Sequence, residues 1–166
     1  MYSTLQYTGN GEEYFSKHTE KLVSFVINPR LKNKDNAVRL YRRGKLIEEK
    51  EIRLSENLFL FYVRWYITHI WILKKYFSKN EKVVILTFHP ITLFGMSFQK
   101  LFRTPVFAYW VGDYFPPVSF VLRMYELLKR YYNKRVDYAY YLSDSINSKM
   151  NGKIVSTNNR KTVMWS

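Results

Sequence analysis

Two side chains that could take part in chemistry, His89 and Asp113, follow closely on strongly apolar runs of the chain. Residues 83–88 (VVILTF) lead directly into His89, and residues 106–111 (VFAYWV) end one residue before Asp113. An imidazole can hydrogen-bond a hydroxyl group or move a proton near neutral pH, and a carboxylate can accept a hydrogen bond from a hydroxyl. The two residues are therefore candidates for binding or activating a hydroxyl group.

The apolar runs are predicted to be strands that position this pair. Runs that are apolar on both faces are typical of parallel strands covered by helices. Between them, Leu93, Met96 and Leu101 recur at helical spacing, which predicts a β-α-β unit. Because ligands bind outside the carboxyl ends of the strands in open α/β sheets, we expect His89 and Asp113 at the ligand crevice. The alternatives are structural: Asp113 would cap a turn, and His89 would satisfy a backbone carbonyl.

The N-terminal segment has the outline of a phosphate-binding turn. Residues 2–7 are predicted to form a strand and residues 12–20 a helix, with Gly9, Asn10 and Gly11 between them. Free backbone N–H groups at such a helix start can bind an anion, although a plain tight turn is the alternative. The adjacent Glu12 and Glu13 would repel a phosphate unless they are turned away.

The next segments predict a strand, a hairpin and a long helix. Residues 22–27 form the strand, and a β-hairpin is expected at about 37–52 with a basic tip. Residues 58–73 (LFLFYVRWYITHIWIL) predict a helix capped by Ser55 and buried behind the sheet. This run is shorter than the ~20 residues of a membrane span. An interfacial helix remains the alternative.

The C-terminal third predicts an amphipathic helix over residues 120–133. Its apolar face is expected to include Met124, and Arg123, Arg130 and Lys134 form a basic stripe that Lys129 and Arg135 continue. Residues 136–142 then predict a strand, Ser143 caps a short helix that runs to residue 150, and residues 162–165 predict a last strand.

Composition narrows the functional classes. The 166 residues fit one domain, and 27 basic against 13 acidic residues give a net charge of +14. Such a charge attracts nucleic acid, an anionic membrane surface or phosphorylated substrates, unless it is only a solvated surface. Cysteine is absent, which excludes thiolate chemistry, and the N-terminus has no signal-peptide pattern. We expect a cytoplasmic protein, with peripheral attachment to the inner face of the membrane as an open possibility.

Four short motifs resemble the N-terminal domain of GT-B-fold glycosyltransferases, and most of all the retaining family with a subfamily-4-like N-terminal half. The likeness covers nearly the whole chain, including the closing segment 161–166, and the motifs are residues 8–11, 87–90, 112–117 and 141–145. The resemblance implies a Rossmann-like domain that receives the acceptor, while a second domain binds the nucleotide sugar.

By this resemblance, specific positions would take specific roles. Gly9, Asn10 and Gly11 would lie near the donor phosphate, His89 and Asp113 would act at the acceptor side, and Tyr114, Phe115 and Ser143 would contact the substrate or line the cleft rim. The family's donor-binding acidic pair belongs to the second domain, which has no counterpart in this sequence. A separate C-terminal half is therefore an expected partner, and neither a metal nor a tightly bound cofactor is expected.

The sequence therefore predicts a single α/β domain, a Rossmann-like parallel sheet sandwiched by helices. Its expected function is that of the acceptor-side half of a glycosyltransferase, which uses a nucleotide sugar and a glycan or lipid-linked acceptor. Two other functions stay open. One is a basic nucleic-acid-binding module, which the interleaved aromatic residues favour and the lack of a nucleic-acid-binding signature disfavours. The other is a stand-alone nucleotide- or effector-binding protein of flavodoxin-like shape.

Overall fold

The computed structural model describes residues 1–5, 10–27, 36–55, 57–97, 104–112 and 118–163. The strands in this part of the chain are β1 (Tyr2–Leu5), β2 (Lys21–Val26), β3 (Ala37–Arg42), β4 (Lys45–Glu51), β5 (Val84–Thr87), β6 (Val106–Val111), β7 (Tyr138–Tyr141) and β8 (Arg160–Thr162). The helices are α1 (Asn10–His18), α2 (Leu58–Tyr76), α3 (Pro90–Ser97), α4 (Phe120–Asn133) and α5 (Asp144–Asn151).

The strands form one sheet in the order β4-β3-β2-β1-β5-β6-β7-β8. Strands β2, β1, β5, β6, β7 and β8 are parallel, whereas β3 pairs antiparallel with both of its neighbours. The predicted mixed α/β architecture, with parallel strands and helices in a Rossmann-like arrangement, is confirmed. The β-α-β unit lies where the two apolar runs predict it, as β5-α3-β6.

The two faces of the sheet carry separate apolar clusters. Along β6, Phe107 and Tyr109 belong to the larger cluster, and Ala108 and Trp110 belong to the smaller one. The larger cluster packs against α2, α3, α4 and α5, whereas Phe15 of α1 packs against the smaller cluster. Right-handed crossovers explain this division. The connection from β1 through α1 to β2 runs towards one edge of the sheet, whereas the connections through α3, α4 and α5 run towards the other edge. Crossovers of the same hand that run in opposite directions place their helices on opposite faces.

Strands β3 and β4 form an antiparallel hairpin that closes one edge of the sheet. Its two-residue turn consists of Arg43 and Gly44, which both have positive φ angles, 48° and 80°. A type I′ hairpin turn requires this backbone conformation at both central positions, and glycine adopts it without steric cost. The outer strand β4 is rich in charged residues, which protects the free edge from pairing with another chain.

Asn57, and not Ser55, caps α2. The Asn57 side chain accepts hydrogen bonds from the backbone N–H groups of Phe59 at 3.0 Å and Leu60 at 3.2 Å. Ser55 lies two residues too early for this role, and its hydroxyl accepts a hydrogen bond from the N–H of Asn57. The N-cap prediction was wrong because two good capping residues lie two positions apart.

Only one face of α2 is buried, contrary to the expectation for residues 58–73. Trp65, His69 and Ile72 point into the core, whereas Phe59 and Ile67 are 75% and 57% exposed. Among the described residues, no helix combines the length and the apolar character needed to cross a bilayer.

Helices α2 and α3 approach closely at Gly95. A Cβ atom at this position would lie 2.6 Å and 2.9 Å from two ring atoms of Tyr66. We therefore expect Gly95→Ala to destabilise the protein by about 1 kcal/mol, because the steric cost exceeds the gain in helix propensity. Thermal unfolding followed by circular dichroism would measure the change.

The matched control is Gly11→Ala in α1, where an added Cβ meets nothing within 4 Å. Equal stabilisation by both substitutions would contradict the close approach.

Candidate functional site

The strand order defines a crevice between β1 and β5. From β1 the chain crosses to β2 on one side, and all later parallel strands lie on the other side. Ligands of open α/β sheets bind at such a switch point, outside the carboxyl ends of the strands. The start of α1 and the residues after β5 flank this position, so Asn10, Gly11 and His89 belong to the same end of the sheet.

The first turn of α1 begins with Asn10 and Gly11. A Cβ built on Gly11 meets no atom of the described residues within 4 Å, apart from its own helix backbone and its chain neighbours. The first N–H groups of a helix lack partners within the helix and carry a partial positive charge. This helix start can therefore interact with an anion.

The two carboxylates next to this turn are both paired. Glu12 is buried, and its Oε2 lies 3.1 Å from Nη1 of Arg39 on β3. Glu13 is exposed and accepts a hydrogen bond of 2.6 Å from Lys17, which lowers the pKa of Glu13. The expected repulsion of a phosphate by these carboxylates is therefore reduced.

The backbone of His89 is fixed between β5 and α3. Its N–H donates to the Thr87 hydroxyl at 3.0 Å, and its carbonyl accepts from the N–H groups of Thr92 at 3.1 Å and Leu93 at 3.4 Å. Pro90 occupies the first position of the helix, where its missing N–H costs nothing. These contacts hold His89 at the end of the strand.

The His89 ring lies between two aromatic side chains from different helices. Its centroid is 5.5 Å from that of Trp65 on α2 and 5.7 Å from that of Tyr125 on α4, both with edge-on geometry. Burial, with a smaller effect from the positive charge of Lys129, lowers the pKa of His89 to about 4. The imidazole is therefore neutral at pH 7, which favours hydrogen bonding to a ligand over general acid–base catalysis.

Sequence reasoning did not identify the aromatic residues around His89. Trp65 lies in a run that reads only as hydrophobic, and Tyr125 lies on a predicted core face. Within the described part of the chain, Trp65 Nε1 and the Thr92 hydroxyl are buried without a hydrogen-bond partner. No pattern in the sequence marks these side chains as neighbours, because they come from three different helices.

Ser143 caps α5, as predicted. Its hydroxyl accepts a hydrogen bond of 3.2 Å from the N–H of Ile146. Neighbouring bonds join α5 to β8, since the Thr162 hydroxyl donates to Asp144 at 2.7 Å and receives the Asn147 amide at 3.1 Å. These contacts give this segment a structural function.

The remaining predicted site residues lie outside the described residues: Gly9, Asp113, Tyr114 and Phe115. For Asn10 the structure describes the backbone only, as the first residue of α1.

The exposure of α4 residues differs from the prediction at two positions, Lys129 of the basic stripe and Met124 of the apolar face. Arg123, Arg130 and Lys134 are exposed, but Lys129 is only 2% exposed and donates a hydrogen bond of 2.9 Å to Glu126. The prediction for Lys129 was wrong because a lysine three residues after a glutamate on a helix can pair with it and leave the solvent. Met124, expected on the buried face, is 45% exposed.

Comparison of this chain with protein-family models, with curated proteins and with solved structures gave no match. Fold and geometry thus define a Rossmann-like α/β protein with a candidate ligand site at the β1–β5 switch point.

Proposed function

We propose that this chain is the acceptor-side half of a GT-B-type glycosyltransferase, which holds a glycan or lipid-linked acceptor for sugar transfer from a nucleotide sugar. The observation that carries the proposal is the position of the α1 start and His89 on the two sides of the switch point. The motif resemblance of the sequence points to the same class.

The reaction joins the acceptor hydroxyl oxygen to the anomeric carbon, while the bond from that carbon to the diphosphate oxygen breaks and the departing diphosphate takes up the hydroxyl proton. Positioning of the hydroxyl and stabilisation of the leaving diphosphate are the main tasks of such an enzyme. In our proposal the neutral His89 hydrogen-bonds the acceptor hydroxyl, and Trp65 and Tyr125 hold the imidazole. The N–H groups at the start of α1 face the diphosphate.

The proposal includes a second, donor-binding half as partner. Among the described residues, the groups that could face the diphosphate are backbone N–H groups of one helix turn, next to the paired carboxylates Glu12 and Glu13. We therefore assign recognition of the nucleotide and of the donor sugar to the other half. Asp113, Tyr114 and Phe115 remain proposed acceptor-side residues, on the resemblance alone.

The test separates donor from acceptor binding in the isolated chain. Calorimetric titration with a panel of nucleotide sugars is expected to give no dissociation constant tighter than ~1 mM, which corresponds to ~4 kcal/mol. Titration with glycans and short-chain lipid-linked sugars is expected to shift the NMR signals of the His89 imidazole. The exposed His18 is the internal control and should not respond to the same ligands.

Two results would overturn this proposal. Micromolar binding of a nucleotide sugar, or turnover by the isolated chain, would show that it is not a half-enzyme. An acceptor panel that leaves the His89 signals unchanged, or shifts those of His18 equally, would remove His89 from the site.

A second candidate function is a flavodoxin-like nucleotide- or effector-binding protein. Once the hairpin is left out, the parallel strands follow the order β2-β1-β5-β6-β7-β8, and the first five of them have the 2-1-3-4-5 order of flavodoxin-like folds. Such proteins bind their ligand at the same switch point. Micromolar binding of a flavin mononucleotide or of a free nucleotide, without binding of glycans, would favour this function.

A further inference from the structure

The outer surface of helix α2 is apolar where a soluble helix would normally be polar. Phe59, Val63 and Ile67 lie on successive turns of one face, and their side chains are between 36% and 75% exposed. Residues at this spacing share one face of a helix, and a surface helix usually turns its apolar face to the core. The opposite face of α2, with Trp65 and His69, already fills the core. Core packing therefore does not explain the outward apolar residues.

Helices α3 and α4 continue this surface. Phe94 of α3 is 53% exposed, and Phe120 and Leu127 of α4 are 76% and 59% exposed. Phe94, Met124 and Leu127 line one open groove of about 600 Å³, so they are neighbours. We define the helix-layer surface as the exposed apolar side chains Phe59, Val63, Ile67, Phe94, Phe120, Met124 and Leu127. Exposed apolar patches of this extent usually mark interaction sites.

The charges around the helix-layer surface have one sign. Within the described parts of α2, α3 and α4, every exposed side chain that is charged at neutral pH is basic: Arg64, Lys74, Lys75, Arg123 and Arg130. Lys75 pairs with Glu48 of β4, and the acidic Glu126 is buried against Lys129. Lys134, directly after α4, adds another exposed cation. The surface is therefore complementary to a negatively charged one.

We propose that the helix-layer surface binds an anionic lipid bilayer. The apolar side chains enter the boundary between headgroups and acyl chains, and the arginine and lysine side chains contact the lipid phosphates. Apolar insertion and electrostatic attraction to anionic lipids are the two sources of affinity of interfacial helices, and basic residues near the surface supply the second. The inference rests on this surface alone and holds whether or not the chain takes part in sugar transfer.

Nucleic acid and a second copy of this chain fit the surface less well. Nucleic acid would engage the arginines but would leave Val63, Ile67 and Leu127 without partners, because aliphatic side chains do not stack on bases as aromatic rings do. A second copy of this chain would bring the exposed Arg123 and Arg130 of both copies together, and like charges that face each other across an interface are unfavourable.

Vesicle co-sedimentation provides the test. Vesicles of equal parts phosphatidylcholine and phosphatidylglycerol are expected to bind the protein, and pure phosphatidylcholine vesicles are expected to bind it at least ~10-fold more weakly. The double variant Ile67→Gln/Leu127→Gln should reduce binding to the anionic vesicles roughly 10-fold or more, since two inserted apolar side chains are lost. The variant Arg123→Gln/Arg130→Gln should have a similar effect and should weaken the salt dependence.

Matched controls lie on the hairpin edge of the sheet. Ile47 and Leu46 of β4 are 57% and 49% exposed, close to the 57% and 59% of Ile67 and Leu127. Ile47→Gln/Leu46→Gln and Arg42→Gln/Arg43→Gln should therefore leave vesicle binding unchanged. Unaltered thermal unfolding of each variant would show that a loss of binding is not a loss of folding.

Three outcomes would overturn the proposal. One is that the protein does not bind anionic vesicles. Another is that the hairpin controls lose as much binding as the helix-layer variants, which would indicate a diffuse charge effect. The third is that Ile67→Gln/Leu127→Gln leaves vesicle binding intact but abolishes binding to single-stranded DNA, or dissociates a dimer seen by analytical ultracentrifugation.

Discussion

Replacement of Lys129 by methionine is expected to destabilise this protein by about 3–5 kcal/mol. Lys129 and Glu126 form an ion pair with an N–O distance of 2.9 Å, and their side chains are 3% and 6% exposed. Loss of the ammonium group leaves the carboxylate of Glu126 in a site that excludes water, and an uncompensated buried charge has a large desolvation cost. Thermal and urea unfolding would measure the change, which corresponds to a decrease in Tm on the order of 10 °C.

The matched control is the pair formed by Glu13 and Lys17 on α1. Its N–O distance of 2.6 Å is shorter, but the two side chains are 65% and 60% exposed. We expect Lys17→Met to leave the free energy of unfolding nearly unchanged, because exposed ion pairs contribute little to stability. The double variant Glu126→Gln/Lys129→Met should recover much of the stability lost in Lys129→Met. Equal effects of Lys129→Met and Lys17→Met would contradict the burial of the α4 pair.

A decrease of pH from 7 to 5 is expected to destabilise the protein through its two buried histidines. Burial lowers the pKa of His69 to about 3 and that of His89 to about 4, from an ordinary 6.5. Between pH 6.5 and pH 4 the unfolded chain therefore binds protons at these positions that the folded protein does not bind, and stability falls as the pH falls. At pH 5 the loss is about 2 kcal/mol for His69 and up to the same amount for His89.

The slope of the unfolding free energy against pH shows which histidine causes the loss of stability. His69 is hydrogen-bonded to the hydroxyl of Tyr2 and packs edge-on against Phe25, so the double variant Tyr2→Phe/His69→Phe removes the pair together. We expect this variant to show about half of the wild-type slope between pH 6.5 and pH 5, whatever its stability at pH 7. A wild-type protein whose Tm is constant over this range would refute the buried, neutral state of both histidines.

The elements with a simple hydrophobic period could be predicted from the sequence alone. The apolar run at residues 106–111 forms β6 over the same residues, and the amphipathic helix predicted at residues 120–133 forms α4 with Ser119 as its N-cap. Ser143 caps α5 as its position before an acidic residue indicates. In each of these cases the hydrophobic period or the capping residue favours the same element that the tertiary structure contains. Local sequence preference and overall packing therefore agree.

The candidate site was predicted in its position but not in its chemistry. A histidine directly after a buried strand predicts a place at the carboxyl end of the sheet, and His89 lies there. The pKa of this histidine depends on burial between Trp65 and Tyr125, which are 24 residues before it and 36 residues after it in the chain. Local sequence patterns span only a few residues, so they do not reveal contacts between residues so far apart in the chain.

Residue types and their local spacing are sufficient to predict the α/β class, the β-α-β unit, the net positive charge and the location of a histidine at a strand end. Each of these properties depends on residue types or on neighbours within a few positions of the chain. Which charges pair and which apolar residues stay exposed depends on how the elements pack. The tertiary structure pairs Glu12 with Arg39 across two elements, buries Lys129, and leaves one side of α2 exposed. This happens because apolar residues lie on more than one side of α2, so its sequence does not specify which face packs on the sheet. The packing of α2 against β1, β2 and α3 selects that face, and the helix-layer surface is what this packing leaves in contact with solvent.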